Sequence, residues 1–301
     1  MASIWSSMSD NSSNKTSEGW NKAAEVYSNV FSRVTNAIAR DFIDLTHKIK
    51  PIDEPDSYIL DNGAGTGAVT INLATRLTST PVLATDISDS MMSKIRDQNL
   101  SNVQIRVVDA LRLDKTLQDD TRRSEKGGFS HAFAMFVLQF VPNDATDTFI
   151  NQMISVVQPG GTVGLGIWGD KIDNIDLVNQ VFLEIDPNYK VRSVWTADEF
   201  PRTEPEIKRK VESMGLKNVQ TIDRHDTAGF ETTEQLAVYM FEGKNPAVEK
   251  LYDYWREAHP EIGIDLVREK FTETVGKELE KDKDFLRKIG LQSISVVGVK
   301  P

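Results

Sequence analysis

The sequence predicts an α/β protein: a doubly wound, mostly parallel sheet of seven strands under a helical lid. Three observations predict it. A glycine turn, Asp61-Asn62-Gly63-Ala64-Gly65-Thr66-Gly67, stands between the short apolar run Tyr58-Ile59-Leu60 and the helical-type segment Ala68 to Ala74. Apolar runs of strand length then alternate with helical segments as far as Trp168. Acids or aromatics close these runs at Asp61, Asp86, Asp109 and Phe136, and open α/β sheets bind ligands at the carboxyl ends of their strands.

Residues 1–17 are rich in Ser and Asn and have no apolar signal core, so they read as a loose tail. Residues 18–301 read as one domain. Ala23, Val26, Tyr27, Val30, Phe31, Val34, Ile38 and Phe42 keep helical spacing, which predicts a helix before the first strand, folded over the pocket. Pro51 and Pro55 mark the linker to the core. Val82–Thr85 is the second strand. Ser88 is placed as the N-cap of a helix carrying Met91, Met92 and Ile95. Val103–Val108 is the third strand, and Leu113–Gly128 is too polar for more than a surface loop with one helical turn. Phe129–Phe136 is apolar enough for a strand buried on both faces. A helix over Asp144–Val157 and a strand over Thr162–Trp168 complete the alternation.

Beyond Trp168 the pattern changes. Ile172–Ile185 reads as helical and Val191–Phe200 as irregular. Glu204–Met214 is a helix stopped by Gly215, Val219–Arg224 a strand, Thr232–Glu261 helical and aromatic, Glu269–Ile289 a charged helix, and Ser293–Val299 a last strand. Segments 18–50, 171–200 and 230–260 are expected to form the lid.

The glycine turn has two candidate ligands. Gly63-x-Gly65-x-x-Ala68, followed by Asp86, also fits the dinucleotide fingerprint. Asp61 weighs against that reading: a carboxylate before the turn repels a pyrophosphate and favours a ligand with an ammonium and a sulfonium. Asp61-x-Gly63-x-Gly65-x-Gly67 resembles motif I of the class I S-adenosylmethionine-dependent methyltransferases. Three further segments resemble that family in order: Ala84-Thr85-Asp86-Ile87-Ser88, Val107-Val108-Asp109-Ala110 and Pro159-Gly160-Gly161-Thr162.

The resemblance implies a Rossmann-like methyltransferase fold with its last strand antiparallel beside the fifth. It implies S-adenosylmethionine as cofactor, with Asp86 on the ribose hydroxyls and Asp109 and Ala110 framing the adenine. Asp61, Gly63, Ala64, Gly65, Gly67, Ile87, Met91 and Phe136 complete the expected cofactor set. The spacing of Trp20 and Tyr27 resembles the entry helix of small-molecule enzymes similar to the quinone-biosynthesis C-methyltransferases. That implies Tyr27 near the cofactor and Trp20 near the substrate; the plainer reading of both is an amphipathic helix face. Gln139, Trp168 and Tyr239 are the other substrate-side candidates.

Methyl transfer from a sulfonium is an in-line displacement, and orientation alone supplies roughly 7–11 kcal/mol in favourable cases. A general base is therefore optional. His131 and His47 read as structural, which leaves His225, His259 and Tyr27 as candidates for a base or a positioning group. No Asn-Pro-Pro-Tyr or Asp-Pro-Pro-Tyr motif follows the fourth strand, against nucleobase or glutamine methylation. No His/Asp/Glu set has metal-ligand spacing. The expected reaction is methylation of a hydrophobic small molecule of secondary metabolism. The alternative is a non-methylating cyclisation or rearrangement beside bound S-adenosylmethionine.

A net charge of −10 argues against nucleic acid or an anionic membrane as partner. The basic stretches Thr121–Lys126 and Lys208–Lys210 read as solvated faces. No cysteine is present, which excludes disulfides and thiolate chemistry and suits the cytoplasm. A monomer or homodimer is expected.

Overall fold

The computed structural model describes residues 33–192, 201–242 and 246–301. Trp20, Tyr27 and the rest of the entry segment before residue 33 lie outside them, as do 193–200 of the segment read as irregular. Seven strands form one sheet in the order β3-β2-β1-β4-β5-β7-β6. They are β1 (Ile59–Asn62), β2 (Val82–Asp86), β3 (Val103–Val107), β4 (Phe129–Met135), β5 (Val157–Ile172), β6 (Lys217–Thr227) and β7 (Gly290–Val299). β1 to β5 pair in parallel, and β7 is antiparallel to both β5 and β6. β1 and β2 are buried at every position, as strands covered on both faces by helices must be.

The first described helix, α1, covers residues 33–49. α2 (Ala68–Arg76) follows the glycine turn, and α3 (Ser93–Asp97) follows β2. The helix after β2 is shorter than expected and is not capped by Ser88. That serine accepts from Met91 N instead, at 3.1 Å, closing a turn ahead of the helix, the usual competition between a short polar side chain and helical bonding. The stretch read as a loop before β4 carries two short helices, α4 (Leu113–Thr116) and α5 (Thr121–Lys126). Asp120 caps α5 by accepting from Arg123 N, and Gly127 ends it at φ 72°. Both signals stand in the sequence.

α6 (Thr146–Val156) leads into β5, and α7 (Asp173–Ile185) leaves it. α8 (Glu204–Ser213) opens with a capping box between Thr203 and Glu206. α9 (Thr233–Phe241), α10 (Pro246–Ala258), α11 (Ile264–Lys281) and α12 (Phe285–Lys288) follow.

The last three strands are longer than their hydrophobic runs. β4 pairs with β5 as far as Met135 and Gly166, whereas β5 and β7 pair on to Ile172 and Leu291. The sheet therefore projects past the end of β4. One apolar cluster covers the projection: Ile172 and Leu291 share it with Phe182 of α7, Met240 of α9, Trp255 of α10 and Phe271 of α11. These helices form an annex with its own core, and α11 belongs to it although its sequence reads as a charged surface helix.

Residues 33–49 are docked on the sheet rather than poised above it. Phe42 is fully buried and meets Phe133 of β4 edge-on at 5.2 Å. A Cβ on Gly164 would come within 2.7 Å of the Phe42 ring, so the glycine in β5 makes room for it. Polar contacts hold both flanks of α1: Asp44 to Arg76, Asn36 to Asn72, and Asp41 to Arg224 of β6. Phe42→Ala is expected to lower stability by about 3–5 kcal/mol in urea unfolding. A loss below about 1 kcal/mol would mean that α1 is not part of the core.

Candidate functional site

The glycine turn is a left-handed corner. Gly63, Gly65 and Gly67 hold φ at 72°, 54° and 95°, the region that side chains disfavour. Thr85 O of β2 accepts from both Gly63 N and Ala64 N, at 2.7 and 2.8 Å. A Cβ on Gly63 would lie 2.2 Å from Val137 Cγ2. The segment after β4 therefore packs directly on the turn.

Two buried carboxylates complete the corner. Asp86, the last residue of β2, accepts from Gly65 N at 2.9 Å through Oδ2 and from Ser88 N at 2.8 Å through Oδ1. Asp61 accepts through Oδ2 from Thr70 N at 2.9 Å and Thr70 Oγ1 at 2.6 Å. Gly67, the N-cap of α2, has no side chain to cap the helix. Asp61 supplies that acceptor from the neighbouring strand, at the helix end where a negative charge is favoured. The described bonds of Asp61 commit its Oδ2 to α2.

Burial raises the Asp61 carboxyl to about 7, against the pull of the two Thr70 bonds, and the neighbouring Asp86 raises it further. Burial raises Asp86 as well, against bonds from Ser88, Gly65 and Ile87. Each carboxylate oxygen has two lone pairs, so Asp86 can hold the turn and still accept from vicinal hydroxyls. Met91 is buried, and its Cε lies 3.4 Å from where a Gly65 Cβ would be. Asp109 stands beyond β3, where its Oδ1 accepts from Leu111 N and caps the 3-10 turn Ala110–Arg112.

Phe136 closes β4 in a left-handed conformation, φ 60°, an arrangement costing a bulky residue about 1–3 kcal/mol. Two contacts hold it: its N–H donates to Gly166 O at 2.7 Å, and its ring stacks on Trp168 at 3.8 Å and 1°. Trp168 and Tyr239 are buried in the annex cluster with Phe136. Three sequence candidates are thus brought into one apolar body. Gln139 is fully buried in the turn after β4.

The histidines lie elsewhere. His225 is on β6, three places from β4 in the sheet, with Nε2 3.3 Å from Asp173 Oδ2. His259 lies against Trp255, ring centroids 4.2 Å apart and tilted by 35°, with Asp186 3.2 Å from Nε2. His131 is buried inside β4, and burial lowers its pKa to about 4. Sequence reasoning missed Thr70 and Val137. Thr70 stands nine residues beyond Asp61, a spacing with no local signal, and Val137 reads as one apolar residue among several.

The raised pKa of Asp61 makes a testable claim. Unfolded, the carboxyl ionises near 3.8; folded, it keeps its proton up to about 7. Unfolding therefore releases a proton between those values, and stability falls as pH rises through that window. Asp61→Asn removes this dependence. In urea unfolding, wild type is expected to lose stability relative to Asp61→Asn as pH rises from about 4, with the difference levelling off above about 7. A difference constant with pH would contradict the buried carboxyl.

Residues 59–161 match the family model described as a methyltransferase domain. No curated protein matches the chain. Among solved structures, phosphoethanolamine N-methyltransferase 2 of Haemonchus contortus is 12% identical, with a TM-score of 0.49 over 93% of this chain and 57% of that one. The present chain therefore spans little more than half the length of that relative. A SAM-dependent methyltransferase of Archaeoglobus fulgidus is 13% identical, with a TM-score of 0.49 over 91% of this chain and 97% of that one. Geranyl diphosphate C-methyltransferase of Streptomyces coelicolor is 14% identical, with a TM-score of 0.46 over 89% and 80%. The matched segment opens at β1 and takes in the glycine turn, Asp86 and Asp109: over these residues the chain is similar to a methyltransferase domain.

Proposed function

We propose that the protein transfers the methyl group of S-adenosylmethionine to a hydrophobic small molecule received under the annex. One observation carries this reading. Val137 packs on Gly63 of the glycine turn, and the next residue, Phe136, stacks on Trp168 inside the annex cluster. The turn expected to hold the donor and the apolar body expected to hold the acceptor thus meet at two adjacent residues. S-adenosylmethionine supplies an activated methyl and a neutral leaving group. Asp86 and the glycine turn bind and orient the donor, while the Phe136–Trp168 stack walls the acceptor and excludes water.

The described histidines support a reaction driven by orientation rather than by a base. His225 and His259 each face a carboxylate, Asp173 and Asp186 respectively. The spacing of Trp20 and Tyr27 supports an acceptor like those of the quinone-biosynthesis C-methyltransferases, bearing a ring. The annex helices α7, α9 and α10 then serve as the lid over the acceptor. A net charge of −10 and the lack of cysteine support a cytoplasmic monomer or homodimer without nucleic acid. No described helix is long and apolar enough to cross a membrane.

The test is product mass. Purified protein, S-adenosylmethionine and a panel of ring-bearing apolar acceptors are incubated and the products weighed. A gain of one methyl with release of S-adenosylhomocysteine is expected. An isomerised acceptor of unchanged mass would replace this reading with cyclisation or rearrangement. Trp168→Ala is expected to cut turnover about tenfold or more while leaving S-adenosylhomocysteine affinity within about twofold. Equal loss of both would mean that Trp168 serves the donor. Asp86→Asn is expected to weaken S-adenosylhomocysteine binding by about ten- to a hundredfold in calorimetry, with the fold retained by circular dichroism. Unchanged affinity would move the donor elsewhere.

A further inference from the structure

We propose a second binding site on the opposite edge of the sheet, for a neutral ligand rich in hydroxyl groups: a sugar or a sugar moiety. The amino ends of β1, β2 and β3 and the loop before α5 line an open cleft of about 750 Å³. It lies across the sheet from the glycine turn, and no residue of the cofactor set lines it.

The lining is polar and partly fixed in place. Arg106 of β3 donates to Thr116 O at 3.0 Å and to Asp119 at 2.9 Å. Asn102 donates to Leu77 O and Thr80 O, at 2.7 and 2.9 Å. Asp120 accepts from Tyr58 Oη at 2.7 Å and from Arg123 N at 2.8 Å. Arg122 lies 5.4 Å over the Tyr58 ring and makes no ion pair among the described residues. The basic stretch thus divides: Lys126 is tied to Asp56, while Arg122 lines the cavity with its side chain exposed.

Charge and chemistry narrow the ligand. Two arginines (Arg106, Arg122) and two aspartates (Asp119, Asp120) line the cavity, so its formal charge is zero and neither an anion nor a cation gains net attraction. The hydroxyls of Thr78, Ser79, Ser101 and Thr121 and the amide of Gln104 would be stripped of water by an apolar guest without replacement, at a cost. Each hydroxyl of a polyol both donates and accepts, which matches a wall that mixes guanidinium, carboxylate, amide and hydroxyl groups.

Saturation-transfer NMR tests the site. The protein is saturated with S-adenosylhomocysteine, so that its own ribose site is filled, and offered the methyl glycosides of glucose, galactose and mannose, with inorganic phosphate as a separate probe followed by broadening of its phosphorus-31 resonance. At least one glycoside is expected to receive saturation. Arg122→Ala and Gln104→Ala, both at exposed side chains, are expected to reduce the transfer about tenfold without changing S-adenosylhomocysteine affinity. No transfer to any glycoside, or equal transfer in wild type and variants, would overturn the proposal. Binding of phosphate in place of the glycosides would overturn its neutral chemistry.

Discussion

The structure depends on carboxylates used as internal fasteners. α2 begins at a glycine, which offers no side chain to its first turn, and Asp61 reaches across from β1 to accept from Thr70. Asp86 does the same for the turn itself, through Gly65 N. A left-handed corner of three glycines is costly in conformational entropy and holds one shape only if its N–H groups have fixed partners. Asp86, Thr85 O and Ala64 O supply them. The corner's geometry is set within the chain itself, an arrangement that would lower the cost of binding a ligand there. The same burial raises both carboxyl pKa values, so the corner is held together by groups that are themselves kept from water.

The second dependence is mechanical. The glycine corner and the annex touch through Val137, Phe136 and Trp168. Phe136 accepts a strained backbone because stacking and the bond to Gly166 O hold it there. Strain of this kind persists where the surroundings over-determine it. The projection of β5, β7 and β6 past β4 gives the annex helices an edge to pack on, so the apolar compartment grows from the sheet itself.

Much of the architecture was legible in the sequence because it is written in local rules. Glycines that need positive φ, acids at strand ends and a period of two or of 3.6 each carry a signal a few residues long. β1, β2 and β4, α6 and the glycine turn follow from them. Other features are tertiary. The Asp61–Thr70 pair joins a strand to the far side of a turn, and Phe136 becomes left-handed only because Trp168 and Gly166 meet it. The extra length of β5 and β7 comes from their mutual pairing rather than from their apolar runs. α5 is a different case: Asp120 and Gly127 marked its ends, but the charge between them read as loop. His225 and His259 were named by residue type, and the structure gives both of them carboxylate partners.

The central claim is that the corner built by Asp61, Gly63, Gly65 and Asp86 selects an adenosyl sulfur ligand over a dinucleotide. A thermal-shift titration of the purified protein against S-adenosylhomocysteine and NAD in parallel tests it most directly. A ligand at about 100 times its dissociation constant adds roughly 2.7 kcal/mol to the folded state, which in a protein of this size raises the midpoint by several degrees, about 2–4 °C per kcal/mol. The account predicts that rise with S-adenosylhomocysteine and none with NAD. A rise with NAD alone would contradict it and make the glycine turn a pyrophosphate site.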